Sequence, residues 1–386
     1  MDALSLTALS LLFLTLWING VLIFGVRKIG HLKSVPVLKN HHHPSISIIV
    51  PACNEEATIR QGLETLLALD YEPLEIIVID DRSTDGTFEV IRSLADRFPQ
   101  LRVVRLTELP PGWLGKSNAL HRGADLATGE YLLFTDADIH MEKSTVSRAI
   151  SWMLATHTDH LCLFFRNIAT GWLLNAMVMD SGANLLLLFK PWQIANPRSS
   201  AFLGIGAFNL VRADVYQQVG GHSTIRMHPI DDIMLGKIIK EAGFRQQCLW
   251  ALEFVTVHWY ASVPEMMNGL MKNLFSLFHY RLWGVLLLMP MAILINIVPL
   301  WGALFCSGPA RLLFALSVVV RLISFARAGK LFRLSPWCVP GALVSPYINI
   351  YLVFKAAFTT CLHGGITWRG TFYPLSELKK SRPIVY

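Results

Sequence analysis

Charged residues are scarce. Asp, Glu, Lys and Arg make up only 16% of the 386 residues, hydrophobic residues make up 53%, and the mean hydropathy is +0.44. A wholly water-soluble chain is usually more charged, so apolar spans are expected. The six cysteines (Cys53, Cys162, Cys248, Cys306, Cys338, Cys361) form no C-x-x-C pair. That argues against a disulfide frame or a zinc site and fits a reducing compartment. No G-x-G-x-x-G follows the first strand-like run, so the dinucleotide fingerprint of oxidoreductases is absent. The net charge is +7 and the pI near 9.1. No basic stripe is interleaved with aromatics, however, and nucleic acid is not an expected partner.

Four apolar stretches are present. Ala3 to Val26 has no charge and is long enough to cross a bilayer. It lacks a basic n-region and a small-residue cleavage site, and reads as a retained anchor rather than a secretion signal. Leu282 to Ala310 is uncharged, with Pro290 and Pro299 expected to kink it. Leu312 to Ala326 is broken by Arg321, and Leu334 to Phe354 contains Pro336, Pro340, Gly341 and Pro346, as expected of a re-entrant segment.

Arg27, Lys28, Lys33 and Lys39 follow the first stretch while only Asp2 precedes it, and Arg327, Lys330 and Arg333 separate the last two. The positive-inside rule then predicts a multi-pass protein of the cell (inner) membrane with its soluble part in the cytosol. The histidines 41 to 43 read as a solvated linker rather than a metal site. The expected division is an anchor (1–27), a soluble domain (28–260), an interfacial amphipathic helix (261–281), a transmembrane or re-entrant region (282–360) and a basic tail (361–386).

In the soluble stretch, residues 45–51, 74–81, 101–106 and 131–138 read as strands rich in Ile, Val and Leu. Helical patterns separate them, at Glu55 to Leu69, Thr84 to Phe98 and Lys116 to Ala127. The alternation predicts an α/β domain with a mostly parallel sheet, whose ligands gather at the carboxyl ends of the strands. Three of those ends are acidic or polar: "PACNEEATI", "IDDRSTDGT" and "YLLFTDADIH". Asn54, Glu55 and Glu56 can be explained as helix-start residues, and Ser83 or Thr84 as a cap. Asp80, Asp81, Asp136 and Asp138 exceed what capping needs. Paired carboxylates suit Mg²⁺ or Mn²⁺, which commonly bridge protein to phosphate. Lys116 at a helix start adds a positive charge where a diphosphate could lie.

"IIVPACNEEATI", "VIDDRSTDGT", "GWLGKSNALHRGADLATGEYLLFTDAD", "GIGAFNLVRADVYQQVGGH" and "IDDIMLGKIIKEAG" stand in this order over about residues 45–250. The sequence thereby resembles the family-2 glycosyltransferases of GT-A fold. The resemblance implies that Pro51, Ala52, Asn54, Glu55, Asp80, Asp81, Lys116, Asn118 and Asp136 surround a nucleotide sugar, with uridine the expected base. It implies a metal on Asp136 and Asp138, and a catalytic base in the pair Asp231–Asp232, at Asp232. That pair also suits a helix N-terminus. Transfer needs a stabilised diphosphate leaving group and a carboxylate to take the acceptor's proton. Carboxylates on opposite sides of the sugar imply inversion.

The family's Q-x-x-R-W motif is only partly present, with Arg281 and Trp283 separated by Leu282. That weakens the alternative of a processive or short-chain polysaccharide synthase. "HGGITWRGTFYPL" resembles the tail of ceramide and carotenoid-acid glycosyltransferases, which implies a membrane lipid as acceptor; a re-entrant fourth stretch would return Trp368 and Arg369 to the catalytic side, to touch donor or acceptor. Residues 171–192 read as a core helix or a surface-lying helix, and poorly as a span because Asp180 interrupts them. In 263–281, Met267, Leu270, Leu274, Leu277 and Phe278 recur at helical spacing with Lys272, Ser276 and His279 on other faces, which suits an interfacial helix. His258 reads equally as an acceptor-orienting or a structural histidine. A phosphatase of the haloacid-dehalogenase type is disfavoured because His140 stands where Thr or Val is wanted. A catalytically silent scaffold is disfavoured by the intact acids.

Overall fold

The computed structural model describes residues 2–38 and 43–381; Lys39, His41 and His42, named above, and the last five residues of the basic tail lie outside them. The chain opens with α1 (Ala3–Val26) and β1 (Gly30–His31), then β2 (Ile46–Ala52), α2 (Ile59–Leu67), β3 (Leu74–Asp81), α3 (Thr87–Ala95) and β4 (Leu101–Leu106). It continues through α4 (Gly115–Leu126), β5 (Tyr131–Phe134), β6 (Ile139–Met141), α5 (Thr145–Thr156), β7 (His160–Phe164) and β8 (Arg166–Asn167). Next come α6 (Trp172–Phe189), β9 (Asn209–Arg212), α7 (Ala213–Gln218), α8 (Asp231–Glu241), β10 (Gln246–Trp250) and β11 (Val255–Val257). The last part holds α9 (Val263–Leu274), α10 (Leu282–Asn296), α11 (Val298–Phe305), α12 (Gly308–Leu331), α13 (Ser345–His363) and the hairpin β12 (Gly365–Trp368) and β13 (Thr371–Pro374).

The main sheet has eight strands in the order β1-β10-β7-β9-β5-β2-β3-β4, with a small β6-β11-β8 sheet beside it. Every pairing in the main sheet is parallel except those of β9 with β5 and β7. Helices cover both faces, which is why β2 and β3 read as continuous apolar runs rather than alternating ones.

Three expected boundaries shift, each for a local reason. The strand over 131–138 stops at Phe134, because Asp136 N turns away to donate to Gly206 O (3.2 Å). The helix expected from Glu55 begins at Ile59, after Asn54 adopts a left-handed φ of 55°. The next begins at Thr87, where Asp85 Oδ1 rather than Ser83 or Thr84 accepts from the Thr87 amide (3.1 Å).

Among the described residues four helices are long and apolar enough to cross a membrane, Ala3–Val26, Trp172–Gln193, Leu282–Phe305 and Gly308–Leu331. The second leaves and rejoins the domain, since β8 precedes it and β9 follows it. Its Asp180 is matched: Arg321 Nη2 donates to it at 2.7 Å and Asn349 Nδ2 at 3.1 Å. Arg321 also donates to Asn296 and to the buried Ala342 carbonyl, near the bend that precedes α13. The stretch Pro336–Leu343 plus Ser345–His363 is bent by 57°. It follows Phe332, which packs edge-on against Trp250 of the domain, and it ends in the hairpin, which also returns to the domain.

Part of the apolar side of α9, the helix expected at the membrane interface, meets other helices of the protein. Met266 and Leu270 are buried against Leu174, Met177 and Leu352, and Ser276, expected on a polar face, is buried too. His43 stacks on Tyr71 with ring centroids 5.3 Å apart.

Candidate active site

The carboxyl ends of β2, β3 and β5 and the start of α8 converge, and Gly206 lies at the centre. Its amide donates to Asp232 Oδ2 (2.8 Å) while its carbonyl accepts from Asp136 N (3.2 Å). A methyl at Gly206 would lie 2.8 Å from Asp136 Oδ2 and 3.4 Å from Asp232 Oδ2. A side chain at this position would therefore push the Asp136 carboxylate aside. Sequence reasoning passed over Gly206, although "GIGAF" supplies the signal: two glycines in an apolar loop before a strand. Asp232 Oδ1 accepts from the Ile233 amide (2.8 Å), so the carboxylate is held at the helix start as well.

Lys116 answers the repulsion among these acids. Its Nζ is 2.7 Å from Asp136 Oδ1 and 3.6 Å from Asp231 Oδ1. Burial works against its charge, but Asp136 and Asp231 outweigh burial and raise its pKa. Asp138 has no such partner. Burial, then Asp136 and Glu55, push its carboxyl up to about 7. Burial and the neighbouring Asp231 raise Asp232 to about 6, and burial raises Asp231 against the pull of Lys116.

Among the described residues no three His, Cys, Asp or Glu side chains form a ready metal cage. The acids still fit a divalent ion. Small hard cations are commonly held by one or two carboxylates with substrate phosphates completing the shell, and Asp138 has no ion-pair partner among the described residues. Asp136 and Asp138 would hold it.

The nucleotide-side residues separate into two groups. Asp80 is fully buried, and its nearest cation is Arg105, with Nε 3.3 Å from Oδ2. That contact falls outside hydrogen-bonding geometry; burial pushes the Asp80 pKa up, with Ser83 and Arg105 opposing. Asn118 is buried on α4, and Pro51 and Ala52 end β2. Asp81 and Asn54, by contrast, are engaged structurally. Arg82 grips Asp81 with two bonds (2.8 and 3.0 Å) and also donates to Thr371 Oγ1 (3.2 Å). Asn54 Oδ1 accepts from Thr84 N (2.8 Å), fastening the β3 loop.

The C-terminal hairpin closes one side. Arg369 pairs with Glu55 and donates to the Asn54 carbonyl (3.4 Å), and the Gly115 amide donates to Tyr373 Oη (3.2 Å). Lys272 Nζ stands 3.5 Å above the Trp368 ring centroid. Burial and the nearby Lys116 lower the Lys272 pKa to about 7, with Asp231 opposing. The hairpin contacts of Arg82, Thr371 and Tyr373 escaped sequence reasoning, because their partners lie hundreds of residues away.

Other expected residues lie elsewhere. Arg281 makes no side-chain hydrogen bond or ion pair among the described residues, and Trp283 is 61% exposed at the start of α10. His258 is exposed and meets only the edge of His140, centroids 5.7 Å apart. All six cysteines are free thiols.

This architecture is that of the GT-A glycosyltransferases. A mannosyltransferase from Pyrobaculum calidifontis, solved with GDP-Man and Mn²⁺, superposes with a TM-score of 0.53 at 19% identity, covering 93% of this chain and 99% of that one. Residues 47–220 match the family model Glycosyl transferase family 2. The 4,4'-diaponeurosporenoate glycosyltransferase of Staphylococcus aureus (strain USA300) is 28% identical over 267 residues, 66% of this chain and 66% of its own length. A probable glycosyltransferase of Bacillus subtilis is 36% identical over 105 residues, 27% of this chain and 25% of its own length. The chain thus spans between a quarter and about two thirds of these curated relatives.

Proposed function

We propose that the chain is an inverting, metal-dependent glycosyltransferase that moves one sugar from a nucleotide sugar, a UDP-sugar, to a lipid acceptor, working on the cytosolic face of the cell membrane. The observation that carries this reading is the meeting of Asp136 and Asp232 on the two sides of Gly206, with Lys116 beside them. Asp136 and Asp138 are assigned to Mg²⁺ or Mn²⁺, which as a Lewis acid would stabilise the departing diphosphate. Lys116 contributes fixed positive charge to the same leaving group. Asp232, less buried than Asp231 and raised to about 6, takes the proton from the acceptor hydroxyl. Asp80, at the carboxyl end of β3 and paired with Arg105, is assigned to hydrogen-bond donors of the nucleoside.

The lipid acceptor draws support from two sides. Among the described residues four helices are long and apolar enough to cross a membrane, and the S. aureus relative is named for a carotenoid acid. The P. calidifontis neighbour, solved with a nucleotide sugar and Mn²⁺, is a precedent for both in this fold. The test is incubation of membranes containing the protein with radiolabelled UDP-sugars and lipid extract, followed by mass spectrometry. A discrete labelled lipid that disappears with EDTA is expected. Labelled polymer, or label transfer insensitive to EDTA, overturns the acceptor or the metal assignment respectively.

A further inference from the structure

A cavity of about 110 Å³, lined by none of the acids above, lies between the domain edge and the end of α12. Its walls include His31, Lys33, Arg166, Trp250, Phe332 and Arg333. The cavity is formed by fixed pieces of the fold. β1 pairs in parallel with β10, setting His31 opposite Trp250. Trp250 Nε1 donates to the Val26 carbonyl at the end of α1 (3.4 Å), and its ring meets Phe332 just past the end of α12. Arg333 adopts a left-handed φ of 56° at that helix end, a conformation that costs a side-chain-bearing residue more than glycine.

The charge balance is one-sided. The one carboxylate in the lining, Glu253, is taken by Arg333 (2.6 Å). Lys33 and Arg166 have no carboxylate partner among the described residues, and Arg166 is half-buried. Unmatched cations beside apolar walls suit an anion that carries apolar chains. The position agrees. α1 and α12 are both long and apolar enough to cross a membrane, so a cavity where they meet the domain sits at headgroup level. A free phosphate would use the cations but gain nothing from Leu331, which lines the cavity and is 43% exposed on α12.

We propose that this cavity binds the phosphate headgroup of an anionic phospholipid, with Lys33 and Arg166 as its principal cationic contacts and the acyl chains lying along α12. The site would seat the β1–β10 sheet edge on the bilayer surface, and it is independent of the glycosyl-transfer reading.

The full-length protein, purified in a neutral detergent, is titrated with phosphatidylglycerol, phosphatidylcholine and inorganic phosphate, with melting temperature as the readout. Saturable stabilisation by phosphatidylglycerol alone is expected. The double variant Lys33→Gln/Arg166→Gln should weaken the apparent affinity at least about tenfold, since each basic group near an anionic surface accounts for roughly fivefold. Its melting temperature in phosphatidylcholine should match that of the parent, which guards against a folding defect. Because Lys33 is exposed, the single variant Lys33→Gln provides a second, milder test, with about fivefold weakening expected. Equal stabilisation by phosphatidylcholine, a response to inorganic phosphate as large as to the lipid, or unchanged affinity in both variants would each overturn the proposal.

Discussion

Lys116 Nζ bridges two carboxylates that come from different parts of the fold, Asp136 after β5 and Asp231 at the start of α8. The lysine supplies the charge that lets the D-x-D acids and the α8 acids share one space. It also faces the region assigned to the donor diphosphate, so it serves both fold and substrate. Lys116→Met should lower transfer by about 10²–10³-fold, the scale seen when a preorganised electrostatic contact to developing charge is lost. Donor affinity should fall too, and Lys116→Arg should recover part of it. Initial rates together with calorimetric UDP binding check this. Unchanged UDP affinity in Lys116→Met would detach the lysine from the diphosphate.

Asp138 gives a pH signature in protein stripped of metal. Its carboxyl is raised to about 7, so the folded state holds this proton more tightly than the unfolded chain does. Stability should therefore fall as pH rises from about 4, the ordinary aspartate range, to about 7, as the buried site loses that proton. Asp138→Asn removes the penalty. It should raise the melting temperature at pH 8 in EDTA, leave it nearly unchanged at pH 4, and abolish metal-stimulated transfer. Melting curves across pH with and without EDTA decide it, and a variant destabilised at pH 8 would mean that Asp138 is structural.

Asp231 and Asp232 are adjacent in sequence but differently held. Asp231 faces Lys116, whereas Asp232 is fixed by the amides of Gly206 and Ile233 and is the less buried of the two. Asp232→Asn should slow transfer by about 10²–10⁴-fold, the range for a lost general base, with donor affinity kept. In the parent, kcat/KM should drop below pH about 6, as the Asp232 carboxylate takes up its proton. Asp231→Asn should instead weaken donor binding by loosening Lys116. If the two phenotypes are exchanged, Asp231 is the base.

Much of this site is legible in the sequence, for a physical reason. An acid at the carboxyl end of an apolar strand is a local pattern, and a parallel sheet gathers such ends on one edge. Asp80, Asp136 and Asp138 are therefore readable one strand at a time. The contacts that complete the cleft are not local. Arg369 reaches Glu55 across 314 residues of sequence, and no periodicity encodes that pairing. Lys272 falls on a polar face of α9 by spacing alone; only the return of Trp368 gives that face its place in the cleft. Asn54 and Asp81 match motif positions, yet their side chains mainly fasten loops. A motif specifies where a residue stands, and the surrounding donors settle what it does.

The C-terminal hairpin also bears on topology. Three plain crossings after a cytosolic domain would leave residues 365–381 on the far side of the membrane. The hairpin instead touches the domain through Thr371, Tyr373 and Arg369. The preceding stretch is bent by 57° and starts beside Phe332, which is also on the domain. Both ends of 334–363 thus adjoin residues that contact the domain, and the Ala342 carbonyl at the bend accepts from Arg321. That satisfies the rule that broken backbone at membrane depth must be buried in protein. A cysteine replacing Ser381, in a background lacking the native six, should resist an impermeant maleimide in intact cells and react once the cells are opened. Labelling in intact cells would mean that the segment crosses fully, and the contacts of Arg369 with Glu55 would then not form in the membrane.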